Sequence, residues 1–558
     1  MRTDAVPLPI PPARTPADLP AETPARTPAR TPADLPAETP ARTPARTPAD
    51  LPAETPARTP AGAPVGAQAA APAAPAGQAR VLTLTGDALT PADVAALARR
   101  TLRPAVDATA RDRVAGARDA ALRATARKRV YGHTTGVGAN RTTDVPASAA
   151  DAFGMNLLRS HSGGIGPVVP DEQARAMLAV RLNQLLGAGS ALGLDVVDRI
   201  ADALASGHVP TLHAYGAVGT ADLSALGELG LTLAGELPWS GGDPWTPPPA
   251  PVVLTHWDAL PLMSSSALTI GQTALAATDL ARLLDRLPLV AALTLTAVRG
   301  SAESYAAQVH ARRPHPGATR LAARMRTLLA DADWEAPLVQ DPFGLRCLPQ
   351  VHGAALEAAE ALDRILGVEL NAAAENPLLD ADGLDYHHHG GFHQAGLALA
   401  GDQFRLALLG TAQLSTARLG VLVEPAFTGL APYLAADVHG SSGIMITEYA
   451  AQSALAELRA FAQPVTLGHA VLSRGVEEHA SFASTGARRL LDSVEPFRLV
   501  LACELLAAVR ALRLRGLAPS GDGELRAFYD HADSVLDPTV ADRNLTGAVT
   551  AAADLLTA

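Results

Sequence analysis

From residue 81 onward the apolar positions recur mostly at helical spacing. The stretch VLTLTGDALTPADVAALARR (81–100) is the exception at its start. Its first residues read as a short strand, and Thr90 followed by Pro91 then supplies the N-cap and first-turn proline of a helix. RAMLAVRLNQLLGAG (175–189) and SALTIGQTALAATDLARLLDRL (266–287) are long Ala/Leu segments with helical spacing. EPFRLVLACELLAAVRALRLRG (495–516) ends in Arg515 and Gly516, a C-terminal cation followed by a C′ glycine. Several of these helices are apolar nearly all round, a pattern that fits burial in a large bundle or at a subunit interface. The pattern changes upstream. Residues 13–60 are three copies of ARTPADLPAETPARTP, whose only large apolar residues are Leu19, Leu35 and Leu51. Proline at that density forbids helix and sheet pairing, so residues 1–78 are expected to form an extended, disordered tail. The folded body is expected to divide into 79–290 and 291–558.

Composition narrows the class. Of the 558 residues 48% are hydrophobic but only 4% aromatic, so the core must be built from Ala, Leu and Val, which favours packed helices over sheets. A formal charge of −11 argues against nucleic acid or an anionic membrane as the main partner. Cys347 and Cys503 lie far apart without CxxC spacing, which suits a reducing compartment. The N-terminus lacks a signal-peptide pattern and no uncharged apolar run reaches the length of a membrane helix, so the expectation is a cytoplasmic protein without membrane attachment.

Seven loop segments carry candidate chemistry. They are Tyr131-Gly-His-Thr-Thr-Gly-Val-Gly138; NLLRSHSGGIG (156–166) with Arg181-Leu-Asn183; YGAVGTADLSALGELGLTLAGE (215–236); Gln340-Asp-Pro-Phe-Gly-Leu-Arg346; Gly390-Gly-Phe-His393; the stretch Ser441–Tyr449; and Gly475-Val-Glu-Glu-His479. Alone, each is weak. The Tyr131 loop by itself reads as a turn, and Asp385 with His387, His388, His389 and His393 reads as a polar loop, because consecutive histidines do not converge as metal ligands. No metal is expected.

In this order and at these separations the segments resemble the aromatic amino acid ammonia-lyases and aminomutases, the histidine ammonia-lyase type included, over nearly all of residues 80–558. The resemblance implies an all-α fold, a large helical bundle. It implies a homotetramer whose sites draw on three subunits, and an amino acid as the small-molecule substrate. The implied reaction is elimination of ammonia from an aromatic or related α-amino acid. Such enzymes take no external cofactor. They make an electrophile, a methylidene-imidazolone, from their own Ala-Ser-Gly.

Carried over residue by residue, the resemblance gives Tyr131 as general base, a role that asks for a lowered phenol pKa. It gives Asn183 as the amide orienting electrophile and amine, and Glu477 as the contact to amine or side chain. Arg346 would clamp the substrate carboxylate, Gln340 and Phe343 would line the same pocket, Phe392 would lie beside the electrophile, and His161 would bind the substrate.

The chain departs from the pattern at the turn, where Gly219-Thr220-Ala221 stands for Ala-Ser-Gly with one residue lost upstream. Two readings follow. Thr220 cyclises to a hindered ethylidene, or no ring forms and the pocket binds an amino acid, partners an active paralogue or runs a different elimination. Val476, Gly391, Thr134, Val137 and Ser264-Ser265-Ser266 also replace family residues, which points to an altered substrate or a lost activity.

Overall fold

The computed structural model describes residues 80–436 and 439–557; the repeat tail expected over 1–78 lies outside them. Strand Val81–Leu84 pairs in parallel with Arg103–Val106. Between them runs helix Pro91–Ala98, whose N-cap Thr90 and N3 Asp93 form a reciprocal capping box. Among the described residues the remaining sheet structure is three more two-stranded pairs, so the all-α expectation holds.

The centre is a bundle of long helices, Asp171–Leu186, Ala267–Val298, Leu348–Glu369, Ala395–Val423, Ile446–Phe461 and Val494–Arg515, each packed on at least one of the others. The last is buried without a break from Val500 to Leu512, as its all-round apolar pattern required, and Gly516 closes it at φ 61°. The division expected at residue 290 is not a break. Helix Ala267–Val298 runs through it, and residues on both sides share one hydrophobic core.

Helix Ala395–Val423 is long and apolar enough to cross a bilayer, yet half of its most apolar stretch is buried inside the fold. It also carries Asp402, Arg405 and Arg418, all buried. Arg418 forms a two-pronged pair with Glu504 at 2.6 and 2.7 Å, and Ser415 and Thr294 donate to the same carboxylate. A buried charge pair is tolerated only with its remaining lone pairs filled in this way. Asp402 pairs with Arg405 and accepts from the backbone of Val465 and Thr466. Arg405 donates onward to the carbonyls of Phe461 and Gly486. Together they fix both ends of the segment that carries Glu477.

Candidate active site

The tyrosine loop is tied at two points. The Tyr131 amide donates to His388 Nε2 at 3.1 Å, and the phenol accepts from the Gly138 amide at 2.7 Å. Gly132, at φ +71°, lets the loop lie on Leu260, where a Cβ would stand 2.1 Å from a methyl. Burial, and more weakly the charge of Glu477, pushes the phenol above its ordinary range against the Gly138 N–H and Arg141. The lowered phenol expected from its role is therefore not found within one chain. His133 of the same loop is packed between Trp257 and Tyr386, and burial pushes its imidazole down to about 3.

Helix Ala150–His161 brings the second group. His161 Nδ1 lies 2.9 Å from the Leu157 carbonyl. A carbonyl can only accept, so Nδ1 carries a hydrogen toward it. Glu477 arrives from the far C-terminal side through a short bridge in which Leu472 and Glu477 exchange backbone hydrogen bonds. Tyr131, His161 and Glu477 line one cavity of about 490 Å³. Phe153, Leu157, Leu223, Leu260 and Met263 form its apolar wall, and Asn140, Asn156 and Ser473 add polar edges. The size is that of a small-molecule site. Glu477 is the one formally charged residue in the lining, which holds no Lys or Arg. Asn156 was within reach of sequence reasoning, since it opens the NLLRSH segment; Asn140 and Ser473 carried no signal of their own.

Leu223 of that wall is the first residue of helix Leu223–Leu233, directly after the glycine-rich bend. The bend is held from four sides. The Gly219 carbonyl accepts from Ser481 Oγ at 3.0 Å and from the Gln394 amide at 3.2 Å. Val218 O accepts from the Phe482 amide, and Ala217 O from Ser484 Oγ. Asp222 donates its amide to Ser265 O and takes two hydrogen bonds at 2.8 Å from Thr269. Burial pushes the Asp222 carboxyl up to about 6 in spite of those bonds.

These residues do not fit a methylidene-imidazolone. Thr220 carries a methyl on Cβ, so loss of its hydroxyl as water leaves an ethylidene. Ala221 puts a side chain at φ +88° where the family has glycine. Gly219, at φ +86°, takes the place of the family's alanine, yet a Cβ there would stand 2.1 Å from Ser481 Oγ and 2.8 Å from the Ala483 nitrogen.

Other sequence-assigned residues lie elsewhere. Asn183 is fully buried among the helices: it accepts from the Gly86 amide and donates to the Leu370 carbonyl and the Asn371 side chain. It lines no part of the cavity, and its orienting role is corrected to that of a packing amide. Gln340 and Arg346 line a different cavity, of about 430 Å³, with Ser301, Ser304 and Gln350. The Arg346 guanidinium lies 4.4 Å over the ring of Phe343, which is 62% exposed, and its buried Nε has no hydrogen-bond partner among the described residues. Phe392 lies next to the bend's supports, its carbonyl accepting from Ser266. The histidine-rich loop is spent on local contacts: His388 holds Tyr131, His389 donates to Glu375 O, and His393 pairs with His479 at 3.1 Å.

A helical bundle that gathers a phenol, an imidazole and a carboxylate beside a bend of this shape agrees with the carbon–nitrogen lyase that the sequence resemblance implies. Comparison with known proteins gives the particular kind. The aromatic amino acid lyase family model matches residues 89–534. Histidine ammonia-lyase of Streptomyces coelicolor is 33% identical over 451 residues, 77% of this chain and 88% of that one. Among solved structures, ergothionase from Treponema denticola, an ergothioneine-degrading enzyme solved with desmethyl-ergothioneine sulfonic acid, superposes with a TM-score of 0.77 at 26% identity, covering 85% of this chain and 98% of that one. Histidine ammonia-lyase from Trypanosoma cruzi gives 0.76 at 29%, covering 86% and 93%. The chain belongs to the aromatic amino acid lyase family.

Proposed function

We propose that this enzyme eliminates the α-amine of an aromatic or imidazole-bearing α-amino acid, giving the corresponding acrylate and the free amine, ammonia where the nitrogen is primary. The observation that carries the proposal is the single cavity lined by Tyr131, His161 and Glu477 from three distant segments. Tyr131, as phenolate, takes the β-proton; the Cα–N electron pair leaves with nitrogen and the Cα=Cβ bond forms. Glu477 faces the ammonium, and His161 Nε2 accepts from an N–H of the substrate. A purely binding role is not favoured, because it gives no use to a phenol held beside a carboxylate.

Arg346, stacked on Phe343 beside Gln340, is the carboxylate clamp. Its cavity is separate from the Tyr131 cavity within one chain, so the complete site needs another copy, consistent with a homotetramer acting on a small amino acid in the cytoplasm. The self-derived group of the family has no fitting precursor here. Appearance of acrylate absorbance, with Tyr131→Phe as control, tests the reading. Turnover by Tyr131→Phe at the parental rate overturns the general-base assignment.

A further inference from the structure

The bend raises a question of leaving-group chemistry. A primary ammonium departs poorly from carbon, and a family that builds an electrophile activates it covalently. Here Thr220 excludes a methylidene, and the positions on either side, Gly219 and Ala221, have each exchanged the family's side-chain requirement for the other. What remains in the cavity is general-base chemistry from Tyr131, one carboxylate and two aromatic faces. Such a site can eliminate only an amine that is already activated.

A quaternary nitrogen meets that condition. It carries its positive charge at every pH and leaves as a neutral tertiary amine. It has no N–H or lone pair with which to add to an electrophile, so it gains nothing from one. The cavity suits it: Glu477 supplies the counter-charge, Tyr131 and Phe153 supply aromatic rings that attract a cation, and the lining supplied by the chain that carries them holds no Lys or Arg to repel it. The apolar wall of Leu157, Leu223, Leu260 and Met263 accepts N-methyl groups that cannot hydrogen-bond.

We infer that the preferred substrates of this site are α-amino acids whose α-nitrogen is a trimethylammonium, with an aromatic or imidazole ring on the β-carbon. This rests on the lyase reading above. The step balances without a co-reactant: the β-proton goes to the Tyr131 phenolate, the Cα–N bond breaks toward nitrogen, and acrylate and trimethylamine leave.

The experiment offers the full chain histidine, phenylalanine and their Nα,Nα,Nα-trimethyl derivatives. Each pair gives the same acrylate, so one absorbance reports both. The expected result is a kcat/KM higher by about 10² or more for the trimethylated member of a pair, the scale of one transition-state-stabilising group. The protein mass should match the unmodified sequence. A higher kcat/KM for the primary amine, or a protein two waters lighter, overturns the inference and leaves the lyase reading standing. Turnover of none of the four overturns both. Glu477→Gln should raise KM for the trimethylated substrate by about tenfold or more, as loss of a charge contact does; an unchanged KM removes the carboxylate seat and with it the inference.

Discussion

Ser481 Oγ donates to the Gly219 carbonyl at 3.0 Å, joining two residues 262 positions apart. The contact is close enough that no side chain can be added at 219: a Cβ would overlap that hydroxyl and the backbone of Phe482 and Ala483. Gly219→Ala should therefore destabilise by about 2–3 kcal/mol, from left-handed strain together with displaced backbone. Ala221→Gly acts in the opposite sense, because Ala221 already bears left-handed strain at φ +88°. Its gain of about 1 kcal/mol is partly offset by unfolded-state entropy. Thermal denaturation of the two variants checks the opposed signs.

Tyr131 and Arg346 line different cavities of the same chain. Tyr131→Phe and Arg346→Ala should each abolish most turnover when every copy carries the change. Co-assembled one to one, they should recover about a quarter of parental activity, since sites drawing the two residues from different copies are rebuilt at random. A mixture as inactive as its components would place both groups in one chain's site.

The raised Tyr131 phenol sets the pH dependence. With the phenolate as the proposed base, the rate should climb tenfold for each pH unit below its pKa, with the rising limb extending to the alkaline side of an ordinary tyrosine. The kcat/KM profile measures this, and Tyr131→Phe should lose the limb.

Burial holds His133 and His352 neutral, each pushed down to about 3. Their folded pKa lies below the unfolded one near 6.5, so the unfolded chain binds more protons in between. The stability they contribute is intact above about 6.5 and is lost as pH falls toward 3. Melting temperature should fall steadily over that window. His133→Phe, which keeps a planar ring between Trp257 and Tyr386, should flatten the slope.

The helices and the first cap were legible because spacing and capping are local: Thr90, Pro91 and Gly516 act within a turn of themselves. Tyr131, His161 and Glu477 were legible through motif order, and the cavity does unite them. Asn183 was not. A buried amide joining a turn to the end of one helix and a pocket amide look alike in sequence, since both are polar residues in an apolar helix; only the partners, Gly86, Leu370 and Asn371, distinguish them. Asn183→Ala should cost about 1–3 kcal/mol in stability, by orphaning the Gly86 amide and the Leu370 carbonyl, and leave KM unchanged. The direction of the Tyr131 shift was equally out of reach, because it comes from burial that no motif encodes.

The carbonyls of residues 217–219 in the bend take their hydrogen bonds from Gln394, Ser481, Phe482 and Ser484, all made much later in the chain than the bend itself. A ribosome working from the N-terminus delivers those anchors only once residues 394–484 have been made. The bend is therefore completed late, and a nascent chain stalled before residue 484 carries its tyrosine loop and its histidine without all of the bend's anchors.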